Sequence, residues 1–510
     1  DIYLDLKIRL ESLRYLLYCP YIFQYFLGKD IYKLQIQYAS LVERITKKIY
    51  KEFHLERKKI TSSKQLKIGF ISSYFRHHTV CKLFKNWPIK LDQKYFNYTT
   101  GLTMTSDKFH NLFGKKPRNP KNDNLTQFHM DIASSIQAVT EEIVLRITKN
   151  ILSKYKIKNL IKGLINRQAK CVIRDPYANS FYKDLSRVSA HNKDIPTPIA
   201  GVHEQKWEVD SLCYVIRLSY HYYKLTGDNS IFDETWIRSS KIIYDTFLTE
   251  QRKNGESPYT FIRNGTAMVD APVFSGTGRP FKPNGMICSM FRPSDDATMY
   301  PFLIPSNIFA AISMKQLSEI YKSEKMDLVF AEKCLSMSIE VNQAIEKYAI
   351  KEHLDFGKIY SYEIDGFGNN LYMDDANVPS LMSLAYLDSK FKKDEVYLNT
   401  RKFLLSNNNP YFLKGKAAEG QASPHTGKDK IWPMGIILRA MTSESDKEIE
   451  KCLKMLVNTH AGTGFMHEAF DKDDPSKYFR SWFAWANTLF GELIIKINNE
   501  RPHLLKIKYS

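Results

Sequence analysis

The hydrophobic rhythm of the chain changes twice. Ile31, Leu34, Tyr38, Leu41, Val42, Ile45 and Ile49 recur at three- and four-residue spacing, which predicts an amphipathic helix. Leu66 to Ser73 (LKIGFISS) is instead a short apolar run with β-branched residues, which predicts a buried strand. A polar stretch follows from Gly114 to Asn124 (GKKPRNPKNDN), with two prolines and no large apolar side chain, and reads as a linker. Beyond it the pattern predicts helices over 208–226, 230–250, 306–322, 326–351 and 481–498. Between them run segments dense in Gly, Pro, Asn, Asp and aromatics, at 172–207, 257–305, 360–380, 415–433 and 460–480. No run of alternating strands is present. Long helices joined by long loops at one end predict an all-α toroid of the (α/α)6 kind, preceded by a small N-terminal α/β portion. The division is residues 1–113, a linker at 114–134, and a barrel over 135–510. Loops beyond ~12–15 residues in a compact domain are usually functional, so the chemistry is sought there.

Composition removes several classes. With 510 residues, 43% hydrophobic and 25% charged, the chain can bury a large core and is not a disordered polymer. The longest apolar run, Tyr15 to Gly28, is interrupted by Pro20 and Gln24. It falls short of the ~20 residues a spanning helix needs, so no membrane span is expected. The seven cysteines show no CxxC spacing, which argues against a disulfide framework or a zinc site. Buried free thiols in a reducing compartment are the expectation. With no basic-apolar-small signal at the start, the cytoplasm is favoured. The net charge is +19, and residues 1–130 hold 24 Lys and Arg against 10 Asp and Glu, so most of the excess lies there. No recognition motif accompanies it and Lys is abundant throughout, so no nucleic-acid partner is expected.

The loops carry RDPYANSF (174–181), HEQKWEVDSL (203–212), GMICSMFRPSDDATMYPFLIPSNIFA (285–310), YEIDGFGNNLYMDDANVPSL (362–381), ASPHTG (422–427), KIWPM (430–434), MHEAFDKDDP (466–475) and SWFAWANTLFGEL (481–493). Carboxylates, Asn, Arg and aromatics in such density suit a sugar, whose hydroxyls need placed polar partners and whose ring face stacks on Trp, Tyr or Phe. Glycoside hydrolysis needs two carboxyls, one to protonate the leaving oxygen and one to activate water or attack the sugar. The pairs Asp295/Asp296, Asp374/Asp375 and Asp473/Asp474 qualify, as do Glu208, Asp210, Glu363, Asp365 and Glu468, and chemistry alone does not choose among them. The apolar residues of 482–490, at helical spacing, read as core.

These motifs, in this order, resemble glycoside hydrolase family 125, the metal-independent exo-α-1,6-mannosidases, from about residue 135 to the C-terminus. The resemblance implies an (α/α)6 barrel that hydrolyses terminal α-1,6-linked mannose with inversion, without metal or other cofactor. Its partner would be a mannose-containing oligosaccharide or N-glycan. It implies a general acid at Asp295, with Asp296 as the alternate in RPSDDA, and a general base at Glu468 in MHEAF. For inversion the two should stand ~6.5–9.5 Å apart, leaving room for water. Further sugar contacts are implied at Arg292, His203, Trp207, Glu208, Asp210, Asn307, Asp374, Asp375, His425 and Trp432. The family's TGDIPAMWLRDS-like segment is eroded here. At Val139 to Thr148 only Ile143, Leu145 and Arg146 are recognisable. That erosion raises an alternative, a mannose-glycan-binding barrel without turnover.

Ahead of the linker, LKIGFISSYFRHHTV (66–80), continuing to 113, resembles a truncated start of an O-linked N-acetylglucosamine transferase-like catalytic region, with His78 at the position of a functional histidine. Solvated loop histidines are the bland reading of His77 and His78.

Overall fold

The protein is described by a computed structural model over residues 106–116, 123–124, 126–128, 157–255, 257–263, 268–507 and 509. The helix expected over 31–49, the strand at 66–73, His77, His78 and the eroded segment 139–148 lie outside the described residues. The chain separates into two compact units, Asp1–Ser135 and Ile136–Ser510. In the first, helix α1 (Asp107–Phe113) stops at Gly114, whose φ of 69° is the left-handed conformation that ends a helix without a Cβ penalty.

The second unit is built on helices. In chain order these are α2 (Ile157–Arg174), α3 (Val209–Thr226), α4 (Glu234–Glu250), α5 (Ile304–Ser323), α6 (Leu328–Tyr348), α7 (Leu384–Leu387), α8 (Glu395–Leu404), α9 (Pro433–Met441), α10 (Asp446–Asn458) and α11 (Ala484–Glu500). Several starts follow from the sequence directly. Asp233, Asp327 and Asp394 each turn a carboxylate back onto a backbone N–H three residues on, at 2.8, 3.0 and 2.7 Å, and so satisfy an amide that the first turn leaves free.

The five helices predicted beyond the linker are present with ends moved by a few residues. Helices α2, α7, α8, α9 and α10 are not among them. The reason is clearest for α9, where PMGIILRAM is buried along its whole length and has no polar face to mark a period. Helix α10 differs: Ile449, Cys452, Leu453, Met455 and Leu456 form one stripe and its charged residues face out. Helix α5 is sunk like α9, with only Lys315, Glu319, Lys322 and Ser323 outside the buried set.

The packing follows this division. α5 lies along α6 and α3, α2 packs on α3 and α4, and α9 packs on α10 and α11. Each sunken helix is thus backed by an amphipathic neighbour, and the fold is the (α/α)6 barrel that the helix-and-loop pattern predicts.

The loops fold into short antiparallel ladders. β1 (Ser180–Phe181) pairs with β2 (Val202–Glu204), and β3 (Phe302–Leu303) and β7 (Asn370–Leu371) flank β6 (Glu363–Ile364). β4 (Ile350–His353) pairs with β5 (Gly357–Tyr360), and β8 (Phe412–Lys414) with β9 (Glu419–Gln421). β10 (Lys430–Ile431), β11 (Ala469–Asp471) and β12 (Tyr478–Phe479) form one three-stranded sheet. The β6–β7 turn needs glycine at 366. Its φ is 79°, and a Cβ there would lie 2.2 Å from the Lys282 carbonyl oxygen.

Candidate active site

The RPSDDA loop makes a tight turn. Asp295 N–H donates to the Arg292 carbonyl at 3.0 Å, and Arg292 N–H to the Asp296 carbonyl at 2.8 Å. Asp295 sits at φ 69°, a left-handed conformation that aspartate tolerates better than most residues. The strain sends its carboxylate and that of Asp296 to different partners. Asn179, in RDPYANSF, donates through one amide nitrogen to Asp295 Oδ1 at 3.1 Å and to Glu208 Oε1 at 3.2 Å. Lys206, itself buried, donates to the Asp295 carbonyl at 2.8 Å. Asp296 is fully buried, with Oδ1 2.9 Å from Nδ1 of His425, while its Oδ2 has no hydrogen-bond partner.

Burial is the first cause of the electrostatics here. It pushes the Asp295 carboxyl above the usual range, with Glu204 and Asp296 adding to the rise and Lys206 and His425 opposing it. Burial, then Asp210 and Asp295, push Glu208 well up, and Ser211 donates to it at 2.9 Å. Asp210 is raised to about 7, again first by burial. His425 is raised by its hydrogen bond to Asp296, with burial opposing and the charges of Asp296, Asp295 and Glu468 adding to the rise. Asp295, Asp296 and Glu468 therefore act on one imidazole, and loops far apart in sequence meet at one site.

Glu468 enters from the other side. Its N–H donates to the Phe479 carbonyl at 3.2 Å, which sets it at the edge of the β11–β12 ladder. Its Oε2 lies 3.1 Å from Nε of Arg480, another residue in the left-handed region. Beside Asn179 and Ser211 a cavity of about 490 Å³ opens between α2, α3 and the start of α11, lined also by Arg167, Gln168, Tyr214 and Trp485.

The other predicted contacts divide by what already occupies them. Asp375 is buried and takes Ser294 Oγ at 2.6 Å and Asn377 Nδ2 at 2.9 Å, which ties it to the RPSDDA loop. Arg292 pairs with Glu363, Nε to Oε1 at 2.6 Å, and the other Glu363 oxygen takes the N–H groups of Met299 and Tyr300. Asp374 takes Leu381 N–H, Met382 N–H and Gln421 Nε2 at 2.8, 3.0 and 2.8 Å and clasps its own loop. Asn307 is fully committed to Ile287 and Leu303 backbone. Trp207 is buried against Tyr177 and Phe247, its indole N–H on the Cys288 carbonyl at 2.8 Å. Trp432 is buried too, edge-on to His425 and Phe483. These two rings brace the site from the core.

His203 contacts Ser180 Oγ at 3.2 Å and packs edge-on against Tyr182 and His191. His191, His203 and Glu204 come close enough to share a metal, but Arg263 already holds Glu204 at 2.7 Å. Asp365 caps the β6–β7 turn, and Asp473 and Asp474 shape an exposed turn with Lys472 and Ser476. In the same loop as Asp295, Phe291 and Met290 are buried, whereas Met299 is exposed.

Sequence reasoning did not single out Asn179, Lys206, Ser211, Ser294 or Arg480. Asn179, Lys206, Ser211 and Ser294 stand inside the loop motifs. Arg480 lies between two of them, and nothing local marks it.

Residues 140–495 match the family model described as metal-independent α-mannosidase, GH125. Residues 35–164 match a second model, the carbamoyltransferase N-terminus. The stretch 66–113 falls inside that match, which is to a carbamoyltransferase rather than to an N-acetylglucosamine transferase. The meiotically up-regulated gene 157 protein of Schizosaccharomyces pombe is 40% identical over 369 residues, 69% of this chain and 72% of its own length. An uncharacterised Synechocystis protein is 51% identical over 71 residues, 14% of this chain and 11% of its own. Among solved structures, a metal-independent α-mannosidase of Streptococcus pneumoniae, in a non-productive complex with α-1,6-mannobiose, is similar at 38% identity and a TM-score of 0.66. That likeness covers 70% of this chain and 86% of the other.

Proposed function

The chain belongs to glycoside hydrolase family 125, the metal-independent α-mannosidases, and on that premise we propose that it removes terminal α-1,6-linked mannose by an inverting mechanism. Asp295 is the general acid. Its carboxyl is raised by burial, the direction that a proton donor to the leaving oxygen needs. Glu468 is the general base that accepts a proton from water, and Arg480 Nε, 3.1 Å from its Oε2, orients it. The two carboxyls have separate tasks, so separate environments are what the chemistry requires.

The observation that carries this reading is the free oxygen of Asp296. A buried carboxylate oxygen without a partner is costly, and a sugar hydroxyl would satisfy it. It lies on the residue next to Asp295, against a histidine that senses both Asp295 and Glu468. Asn179, Glu208, Asp210, Lys206, His203 and His425 are proposed to line the mannose site. Asp375 supports the acid's loop through Ser294, while Trp207, Asn307, Arg292, Asp374 and Trp432 hold the scaffold.

The test is incubation of the chain with α-1,6-mannobiose in EDTA, followed by NMR of the anomeric protons. β-Mannose appearing first supports inversion at this site. α-Mannose first would reassign Glu468 as a nucleophile. Binding without release would leave a sugar-binding barrel.

A further inference from the structure

A second cavity, of about 370 Å³, opens between α3, α5, α6 and the residues that follow α7, and no residue of the mannose site lines it. Helices α3 and α5 both start at the catalytic loops and carry the cavity further along. Gln316 lies nine residues beyond Asn307 on α5, so at 1.5 Å per residue it stands ~14 Å from that end. The cavity holds an excess of positive charge. Its two carboxylates are already matched: Glu319 accepts the Tyr220 hydroxyl at 2.6 Å and lies 3.8 Å from Lys224, and Asp388 lies 3.8 Å from Lys390. Arg217 and Lys315 have no carboxylate in ion-pair range among the described residues. Arg217 is half-buried, and its guanidinium donates to the Leu387 and Tyr386 carbonyls at 3.1 and 3.5 Å, which fixes it in place and leaves further N–H groups to give. Gln316 adds the opposite need. It is only 8% exposed, and its Oε1 is buried without a hydrogen-bond partner, a costly state that a donor entering the cavity would relieve.

We propose that this cavity binds a phosphorylated hexose, with the phosphate on Arg217 and Lys315 and a ring hydroxyl donating to Gln316 Oε1. Each part of the ligand answers one observation. A guanidinium and an ammonium without counter-ions call for an anion, and a planar fork suits phosphate oxygens. The orphan amide oxygen calls for a donor, which a hydroxyl supplies. The volume falls in the range of small-molecule sites, and Tyr220 and Tyr386 give its wall aromatic carbon for the ring. A neutral sugar would leave both cations unmatched. Inorganic phosphate would leave most of the cavity unfilled. The site is independent of the mannosidase chemistry, because none of its residues touches Asp295 or Glu468.

The test is calorimetry on the full chain with glucose 6-phosphate, glucose and inorganic phosphate as probes. Glucose 6-phosphate should bind saturably at one site, at least about tenfold more tightly than either of the others. Lys315→Gln should weaken it about tenfold and flatten its dependence on salt. Gln316→Leu should weaken it by a similar factor while the melting temperature holds or rises, since the change removes an unsatisfied oxygen. Neither variant should alter the binding of α-1,6-mannobiose, which keeps this cavity distinct from the mannose site. Absence of saturable glucose 6-phosphate binding overturns the proposal. Inorganic phosphate binding as tightly as the sugar phosphate overturns it too, as does binding that is indifferent to both substitutions. A lower melting temperature in Gln316→Leu with unchanged affinity would make Gln316 a packing residue and overturn its assignment.

Discussion

Nδ1 of His425 lies 2.9 Å from Oδ1 of Asp296, and this contact separates the roles of two adjacent aspartates. Asp296 is buried and engaged by the imidazole. Asp295, turned the other way by its left-handed backbone, shares Asn179 with Glu208.

Asp295→Asn should therefore lower kcat on α-1,6-mannobiose about a hundredfold or more, since a positioned general acid contributes ~10²–10⁴. Disaccharide binding should persist. Asp296→Asn should weaken binding as well, because it alters a group proposed to touch the sugar. Steady-state kinetics with calorimetry on both variants checks the split, and equal effects would point to Asp296 as the acid.

His425 gives a pH dependence with a definite sign. Its pKa is raised in the fold, first by Asp296, so its stabilising contribution is complete below the ordinary value of 6.5 and is lost as pH rises through the folded pKa. Urea unfolding at pH 6 and pH 9 should show wild type exceeding His425→Gln by more at pH 6. A gap that widens with pH would contradict this.

Arg480 and Glu468 test geometry against stability. The arginine is mostly exposed, so the pair should add little to folding, and Arg480→Ala should change unfolding free energy by no more than ~1 kcal/mol. Its effect on kcat/KM should be about tenfold, because it orients the proposed base. Thermal melts and kinetics on one preparation measure both. Glu468→Gln should abolish turnover.

Asp374 is predicted to matter for folding rather than for chemistry. Asp374→Asn sets an amide N–H₂ against donors from Met382 and Gln421, at a cost of about 2–3 kcal/mol. Burial raises this carboxyl from 3.8 to about 7, so between those values the unfolded chain releases a proton that the folded chain still holds. Its contribution to stability is then largest at low pH and falls as pH rises toward 7. Denaturation of wild type and variant across that range tests both statements.

The sequence alone determined the all-α class, the long helices of the barrel and the loops that carry the chemistry, because hydrophobic period and loop composition are local properties. It also brought the motifs of a known family into view, with Asp295 and Glu468 among them. It did not reveal helix α9, which is buried along its whole length, or the use of each polar group. Trp207, Trp432, Asn307 and Asp374 have the chemistry of sugar contacts, and the fold spends them on the Cys288 carbonyl, on Thr426, on Ile287 and Leu303, and on Leu381, Met382 and Gln421. Trp482 went the other way, from expected core to exposed ring. Whether a polar group is free for a ligand depends on which distant backbone comes within 3 Å of it. Residues like Asn179 and Arg480 gain their partners through contacts that no local pattern encodes, so only the tertiary structure could decide them.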